Sequence, residues 1–225
     1  MKPSNPTVHI VVDANSSLVS ISIFLRATGY NVHTYQTRTE FLHHLDSDPE
    51  GCVLLDLSPS NGFEIDIQKA LATQHNPLPV IFLLTGRGQL QDAVRALGKG
   101  VCNFITNDTT DSELLRTVQL ALDQDRQARV RKAAQSKIRE RFDRLTDRER
   151  EVIACVVHGF MNKETAAALS LSERTVKHHR TRANSKLQVQ SVAQLILTLH
   201  EADLLRELNG QMDGLQHAPT LQSAG

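Results

Sequence analysis

Apolar residues in the first half of the chain fall in short runs of strand length and strand composition. They are Val8–Val12, Asn31–Tyr35, Cys52–Leu55, Val80–Leu84 and Val101–Ile105. Between them the spacing shifts to a helical period, over Leu18–Thr28, Glu40–Leu45, Phe63–Ala72, Leu90–Leu97 and Ser112–Leu122. Strands alternating with helices in this way predict right-handed crossovers and an α/β doubly wound fold, a five-stranded parallel sheet covered on both faces. Ligand sites in such sheets lie at the carboxyl ends of the strands, near a switch in strand order. Asp13, Asp56 and Thr85 each stand at, or just after, the end of a strand. Any one of them reads equally as a loop residue or a helix cap; their convergence on one rim points to a site.

From Leu145 the pattern is helical throughout. Thr146 with Glu149 forms a capping-box signature before the stripe Val152, Ile153, Val156, Val157, and Gly159 closes that helix. Lys163–Leu169 reads as a second helix, Glu173–Leu187 as a third capped by Ser172, and a fourth follows Ser191 through Val192, Leu195, Leu199 and Leu204. Before them, Asp123–Arg144 is charged and free of Pro and Gly, with Val130, Ala134, Ile138, Phe142 and Leu145 at nearly helical spacing. This predicts a long helix leaving the first domain, either a solvated linker or one that pairs with its copy in a dimer. The domains expected are 1–122, a linker 123–144, an all-α four-helix domain 145–208, and a polar, disordered tail 209–225.

Charge sharpens the picture only when divided. The 25 Lys/Arg balance 25 Asp/Glu over the whole chain. Residues 1–122, however, carry 8 cations against 12 acids, and residues 123–208 carry 17 against 12. An acidic module joined to a basic one suits a regulatory part and a nucleic-acid part. Projected at about 100° per residue, the third helix sets Val176, Ala183 and Leu187 on one side with His179 at its edge. Arg174, Lys177, His178, Thr181, Arg182 and Ser185 lie opposite. The helix's five Arg and Lys residues face only Glu173 for balance. Such a face fits the major groove of DNA, where phosphates attract and base edges accept; a solvated basic face is the plainer alternative.

Cys52, Cys102 and Cys155 are odd in number, widely spaced and set among apolar neighbours. They predict buried hydrophobes rather than disulfides or a zinc site, with a redox-sensing thiol as the sharper alternative. No apolar run is long enough for a membrane span and the start lacks a signal-peptide layout, so a cytoplasmic home is expected. Neither GxGxxG nor GxxxxGK[ST] follows a strand, which weakens a nucleotide-binding reading.

The segments LTDRERE, GFMNKETAAALSLSERTVKHH and SKLQV resemble the LuxR-type helix-turn-helix that closes response regulators of the NarL/FixJ family. The resemblance implies that the third helix enters the major groove and the fourth serves dimerisation. Lys163 and Thr175 would hold phosphates, Lys177, His178 and Thr181 would face bases, and His179 would be structural. The first half is similar to a CheY-like receiver. VHIVVDANSS, VLLDL, LLTGRG and GKGVCNFI match its first strand, phosphoacceptor strand, switch hydroxyl and fifth strand. By that likeness Asp56 is the phosphoacceptor, Thr85 and Phe104 are switch residues, and Mg²⁺ is held by Asp13, Asp56 and the carbonyl of Ser58. A sensor histidine kinase would supply the phosphoryl group, and phosphorylation would control a homodimer that binds double-stranded DNA.

Departures from the receiver pattern bear on that chemistry. The acidic pair before the first helix reads Val12-Asp13, followed by Ala14. The Lys-Pro after the fifth strand is Asn107-Asp108, and the loop LSPSNG after Asp56 is short for the family. Asp13 and Asp56 could still hold Mg²⁺ weakly, since that ion needs only one or two protein carboxylates. Two readings stand for the receiver: ordinary His-to-Asp phosphorylation, or a phosphorylation-independent regulator switched by a protein partner, a small molecule or a thiol. A metal-dependent phosphohydrolase built on the Asp13/Asp56 rim is disfavoured, because no general base or nucleophile accompanies those carboxylates. The expectation is a regulator of transcription, not an enzyme.

Overall fold

The computed structural model describes residues 6–11, 18–56, 70, 71, 73, 74, 76–84 and 101–208. The chain divides into two compact units, Met1–Val130 and Arg131–Gly225.

In the first unit the elements run β1 (Thr7–Val11), α1 (Leu18–Ala27), β2 (Asn31–Tyr35), α2 (Arg38–Leu45), β3 (Cys52–Asp56), β4 (Val80–Leu84) and β5 (Val101–Thr106), and α3 (Asp111–Asp143) begins here. The strands form one parallel sheet in the order β2-β1-β3-β4-β5. This is the doubly wound arrangement expected, with its switch between β1 and β3. β2 and β4 have the expected bounds, β3 and β5 run one residue further, to Asp56 and Thr106, and β1 begins one residue earlier, at Thr7, with Val12 outside the described residues.

Alternation along the strands sends side chains to two cores. Val8, Ile10, Leu54, Ile81, Leu83 and Ile105 pack against Leu18 and Leu25 of α1 and Leu114, Val118 and Leu122 of α3. On the other face Val53, Leu55, Val80 and Phe82 meet Tyr35 and the α2 residues Phe41 and Leu45.

Two polar devices sit within this apolar frame. His9 is 1 % exposed, and its Nε2 donates to the Glu50 carbonyl at 3.1 Å. Its Nδ1 is thereby left to accept from the Tyr35 hydroxyl at 3.0 Å. Burial, with the nearby His44 and His33, brings its pKa down to about 4 despite the Glu50 bond. At the foot of β3, Gly51 has φ +126°, and a Cβ there would stand 2.0 Å from the Thr7 carbonyl oxygen. Its amide donates to the buried carboxylate of Asp125 at 3.0 Å. Arg129 closes this latch: its Nε lies 3.1 Å from both Asp125 oxygens, and its guanidinium donates to the Pro49 carbonyl.

The second unit holds α4 (Asp147–Val157), α5 (Asn162–Leu169), α6 (Glu173–Leu187) and α7 (Val192–Glu201). Local sequence accounts for most of these boundaries. The Thr146–Glu149 capping box is formed, Ser172 and Ser191 accept from the amides of Thr175 and Gln194, and α5 and α6 end on left-handed Ser170 and Gln188. Val152, Ile153, Val156, Leu169, Val176, Ala183, Leu187, Leu195 and Leu199 build the core.

The final turns of α3 belong to this same core, through Ile138 and Phe142, with Leu145 just beyond them. The expected linker is thus the continuation of one 33-residue helix that starts at Asp111. Part of its apolar stripe is used within the chain: Ile138, Phe142 and Leu145 enter this core, whereas Val130 (67 % exposed) and Ala134 lie outside the cores. Gln135 donates to the Glu201 carbonyl and Arg139 to Glu207, fixing that turn to the end of α7 and to the segment after it.

Candidate nucleic-acid interface

The face of α6 predicted to be polar is exposed along its length. Arg174, Lys177, His178, Thr181, Arg182 and Ser185 are exposed, while Val176, Ala183 and Leu187 are 0 to 1 % exposed and His179 is half-buried. Contacts with α4 and α5 hold that apolar side. Among the described residues no carboxylate lies within ion-pair range of Arg174, Lys177 or Lys163, the last of which stands exposed in the first turn of α5. The Thr175 hydroxyl lies 2.7 Å from the Ser172 hydroxyl at the helix start, and the Thr181 hydroxyl donates back to the Lys177 carbonyl at 2.9 Å. Arg180 is turned inward, donating to Asn162 at 3.2 Å, so α5 and α6 are tied across their junction.

One acid behind this face escapes a reading of α6 alone. Glu149 of α4 is 1 % exposed, and its carboxylate meets the Lys186 ammonium at 2.5 Å and Arg182 Nε at 3.7 Å. Glu173 is therefore not the sole balance for the α6 cations. Burial opposes the Glu149 charge, but hydrogen bonds from Lys186 and the Thr146 amide outweigh it and hold the carboxyl below its usual range. Lys186 also donates to the Arg144 carbonyl at 2.9 Å. The Lys186 end of α6 is thus pinned, while among the described residues the Arg174–Lys177 end makes no ion pair.

In the first unit the acidic rim is described only in part. Asp56 ends β3 and is half-buried, whereas Asp13, Ser58 and Thr85 lie outside the described residues. Phe104 of β5 is half-buried, its ring stacked on Phe82 with centroids 6.0 Å apart. Asn107 and Asp108 form an exposed turn on the same carboxyl edge of the sheet, closed by Thr109: its amide donates to the Thr106 carbonyl and its hydroxyl accepts from the Thr106 amide. An amide and an acid therefore occupy the place where the receiver pattern has a cation. A groove of about 520 Å³ runs beside β5, lined by Phe104, Thr106, Asp108, Glu113, Arg116 and Leu120. Among the described residues no cluster of three metal-ligating side chains occurs, and no helix is long and apolar enough to cross a membrane. Cys52 and Cys155 are buried, and burial pushes the Cys155 thiol up.

Comparison with known proteins matches both units. Residues 8–119 fit the response regulator receiver domain, and residues 143–199 fit the bacterial regulatory proteins of the luxR family. The chain is 32 % identical to the response regulator protein TmoT of Ectopseudomonas mendocina over 196 residues, covering 87 % of this chain and 89 % of that protein. It is 31 % identical to the response regulator protein TodT of Pseudomonas putida, over 84 % and 83 % of the two chains. The structure of the response regulator StyR superposes with a TM-score of 0.70 at 29 % identity, covering 91 % of this chain and all of that one.

Proposed function

Since the chain belongs to the response-regulator family, whose members here join a receiver domain to a LuxR-type DNA-binding domain and act in transcription rather than as enzymes, we propose that it grips specific duplex sites through α6. Lys177, His178 and Thr181 reach base edges in the major groove, and Lys163, Arg174, Thr175 and Arg182 take the phosphates on either side. The carrying observation is the two-sidedness of α6, with Val176, Ala183 and Leu187 sealed in the core behind Arg174 and Lys177, which are exposed and have no acidic partner among the described residues. A gel shift on DNA from the region upstream of its own gene tests this. Retardation must occur and must weaken steeply as salt rises, because several phosphates release counterions. Binding that ignores salt would count against a groove-bound α6.

The receiver, in this reading, controls formation of a homodimer in the cytoplasm, and the groove beside β5 supplies a face for that contact. The stretch 123–144 acts as a helical connector. Its first part, through Asp125 and Arg129, serves the receiver, and its last part, through Ile138 and Phe142, serves the DNA-binding domain that runs on to 208, ahead of a tail at 209–225. Asp56 is the acceptor if a sensor histidine kinase serves this protein, with Thr85 and Phe104 as the responding residues. A half-buried carboxylate at a strand end is a suitable hard-oxygen donor, so Asp13, Asp56 and the Ser58 carbonyl would hold Mg²⁺. The ion would supply charge neutralisation, and it would do so weakly, with Asn107 and Asp108 in place of a cation. That substitution favours the second reading, a receiver switched by a protein partner or small molecule. The burial of Cys52 and Cys155 speaks against a thiol switch at either.

A further inference from the structure

The Arg131–Arg144 stretch carries six cations against two acids, Glu140 and Asp143. Asp143 is already engaged, 3.5 Å from Arg139 and 3.9 Å from Arg150. Arg139 is further committed to Glu207. Lys137, Arg141 and Arg144 have no carboxylate within ion-pair range among the described residues, and Lys137 and Arg144 are exposed.

These three share one flank. Lys137 and Arg141 are one turn apart, and Arg144 follows at the end of the helix, so the row spans roughly 10 Å. The core contacts Ile138 and Phe142 face elsewhere, and so do Gln135 and Arg139, which hold the end of α7 and the segment after it. A cation near a helix C-terminus also suits the helix dipole. Yet the Arg144 carbonyl is already capped by Lys186, and one charge would suffice for that role. The row is also poorly suited to pairing with a second copy of itself, since like charges would be brought together.

The Lys186–Arg144 bond places this row at the pinned end of α6, within the same folded unit. We propose that Lys137, Arg141 and Arg144 form a second phosphate-binding row, which extends the footprint of the helix-turn-helix along the DNA backbone beyond the groove that α6 enters. The inference rests on the DNA-binding reading. It adds affinity and salt dependence without sequence preference, because phosphates carry no base identity.

The test uses the full chain and a labelled 40-base-pair duplex of mixed sequence, with dissociation constants measured across a salt series. The Lys137→Gln, Arg144→Gln double variant leaves half-buried Arg141 in place and so guards against misfolding. The slope of log Kd against log salt should fall by about 0.9 for each phosphate the protein no longer neutralises, or about 1.8 in all. The charge-keeping Lys137→Arg, Arg144→Lys variant should restore the wild-type slope. If the wild type binds and the double variant matches it in slope and affinity, the row is refuted while α6 binding stands, and an acidic protein surface becomes the better occupant. If the wild type fails to bind duplex at any salt, both readings fall together.

Discussion

The Lys186 ammonium stands 2.5 Å from the buried Glu149 carboxylate, joining α6 to the first turn of α4 across 37 positions of sequence. The same carboxylate caps α4, so one acid both starts one helix and pins the end of another. Glu149→Gln keeps an acceptor for the Thr146 amide but removes the charge facing Lys186 and Arg182. The second unit should lose about 2 kcal/mol in chemical denaturation, the scale of a hydrogen bond to a charged group. Because the folded carboxyl titrates below its unfolded value of 4.5, this stabilisation is present above pH 4.5 and fades as pH falls through the lower folded value. The wild-type and variant curves should therefore converge in acid.

His9 gives a different acid response. Its folded pKa of about 4 lies below the unfolded 6.5, so the native state holds the neutral ring. Stability from this residue is complete above pH 6.5 and declines as pH falls toward 4, reaching a loss of about 3 kcal/mol. His33 and Tyr35 of β2 and His44 of α2 surround the ring, and burial also holds the His44 pKa below its usual value, so its protonation works in the same direction. His9→Gln should be less stable at pH 7 yet lose less between pH 6.5 and 4.5 than the wild type. An equal pH slope in urea melts would contradict this assignment.

Gly51→Ala should damage the receiver unit severely. The new methyl would meet the Thr7 carbonyl at 2.0 Å in a backbone conformation that costs a side chain on the order of 1–3 kcal/mol by itself. Relief requires moving the amide that Asp125 accepts from, which leaves a buried carboxylate with one donor fewer. The total loss should exceed about 3 kcal/mol, seen as an earlier melt of the first unit with the second unit's signal unchanged.

How much of this was legible without coordinates differs by kind of interaction. The split of α6 into Val176, Ala183 and Leu187 against Arg174, Lys177 and Thr181 follows from a period of 3.6, and the Thr146, Ser172 and Ser191 caps are local signals. The five strands follow from short β-branched runs, whose alternation could not by itself be assigned to one core or the other. Glu149–Lys186 and Gly51–Asp125 were out of reach, because residues 37 and 74 positions apart meet only through the tertiary fold. The stripe through Ile138 and Phe142 was visible, but one spacing serves equally for a dimer seam and for the chain's own core. Asp13, Ser58 and Thr85, named from the receiver pattern, lie outside the described residues.

Lys177→Ala removes an exposed ammonium with no acidic partner among the described residues, and the fold should not notice. Affinity for a specific site should drop by about 1–3 kcal/mol, with relaxed preference at one base pair in a selection experiment. Uniform weakening on every sequence would instead assign Lys177 to a phosphate.

Asn107→Lys restores a cation to the exposed turn after β5. The wild-type protein, incubated with Mg²⁺ and a small phosphodonor, should carry little label on Asp56, and the variant should carry severalfold more. Stoichiometric labelling of the wild type would show that Asp56 reacts without that charge.

The helix Asp111–Asp143 lends side chains to both hydrophobic interiors, Leu114 and Val118 to one and Ile138 and Phe142 to the other. Anyone dissecting this protein therefore inherits a constraint on where to cut. A fragment beginning at Leu145 would leave Phe142, a 1 % exposed ring, behind and open a hole of aromatic size under Arg150, whose guanidinium lies 5.0 Å above it. A fragment beginning at Arg131 keeps that plug in place, and it is the shorter piece that should aggregate.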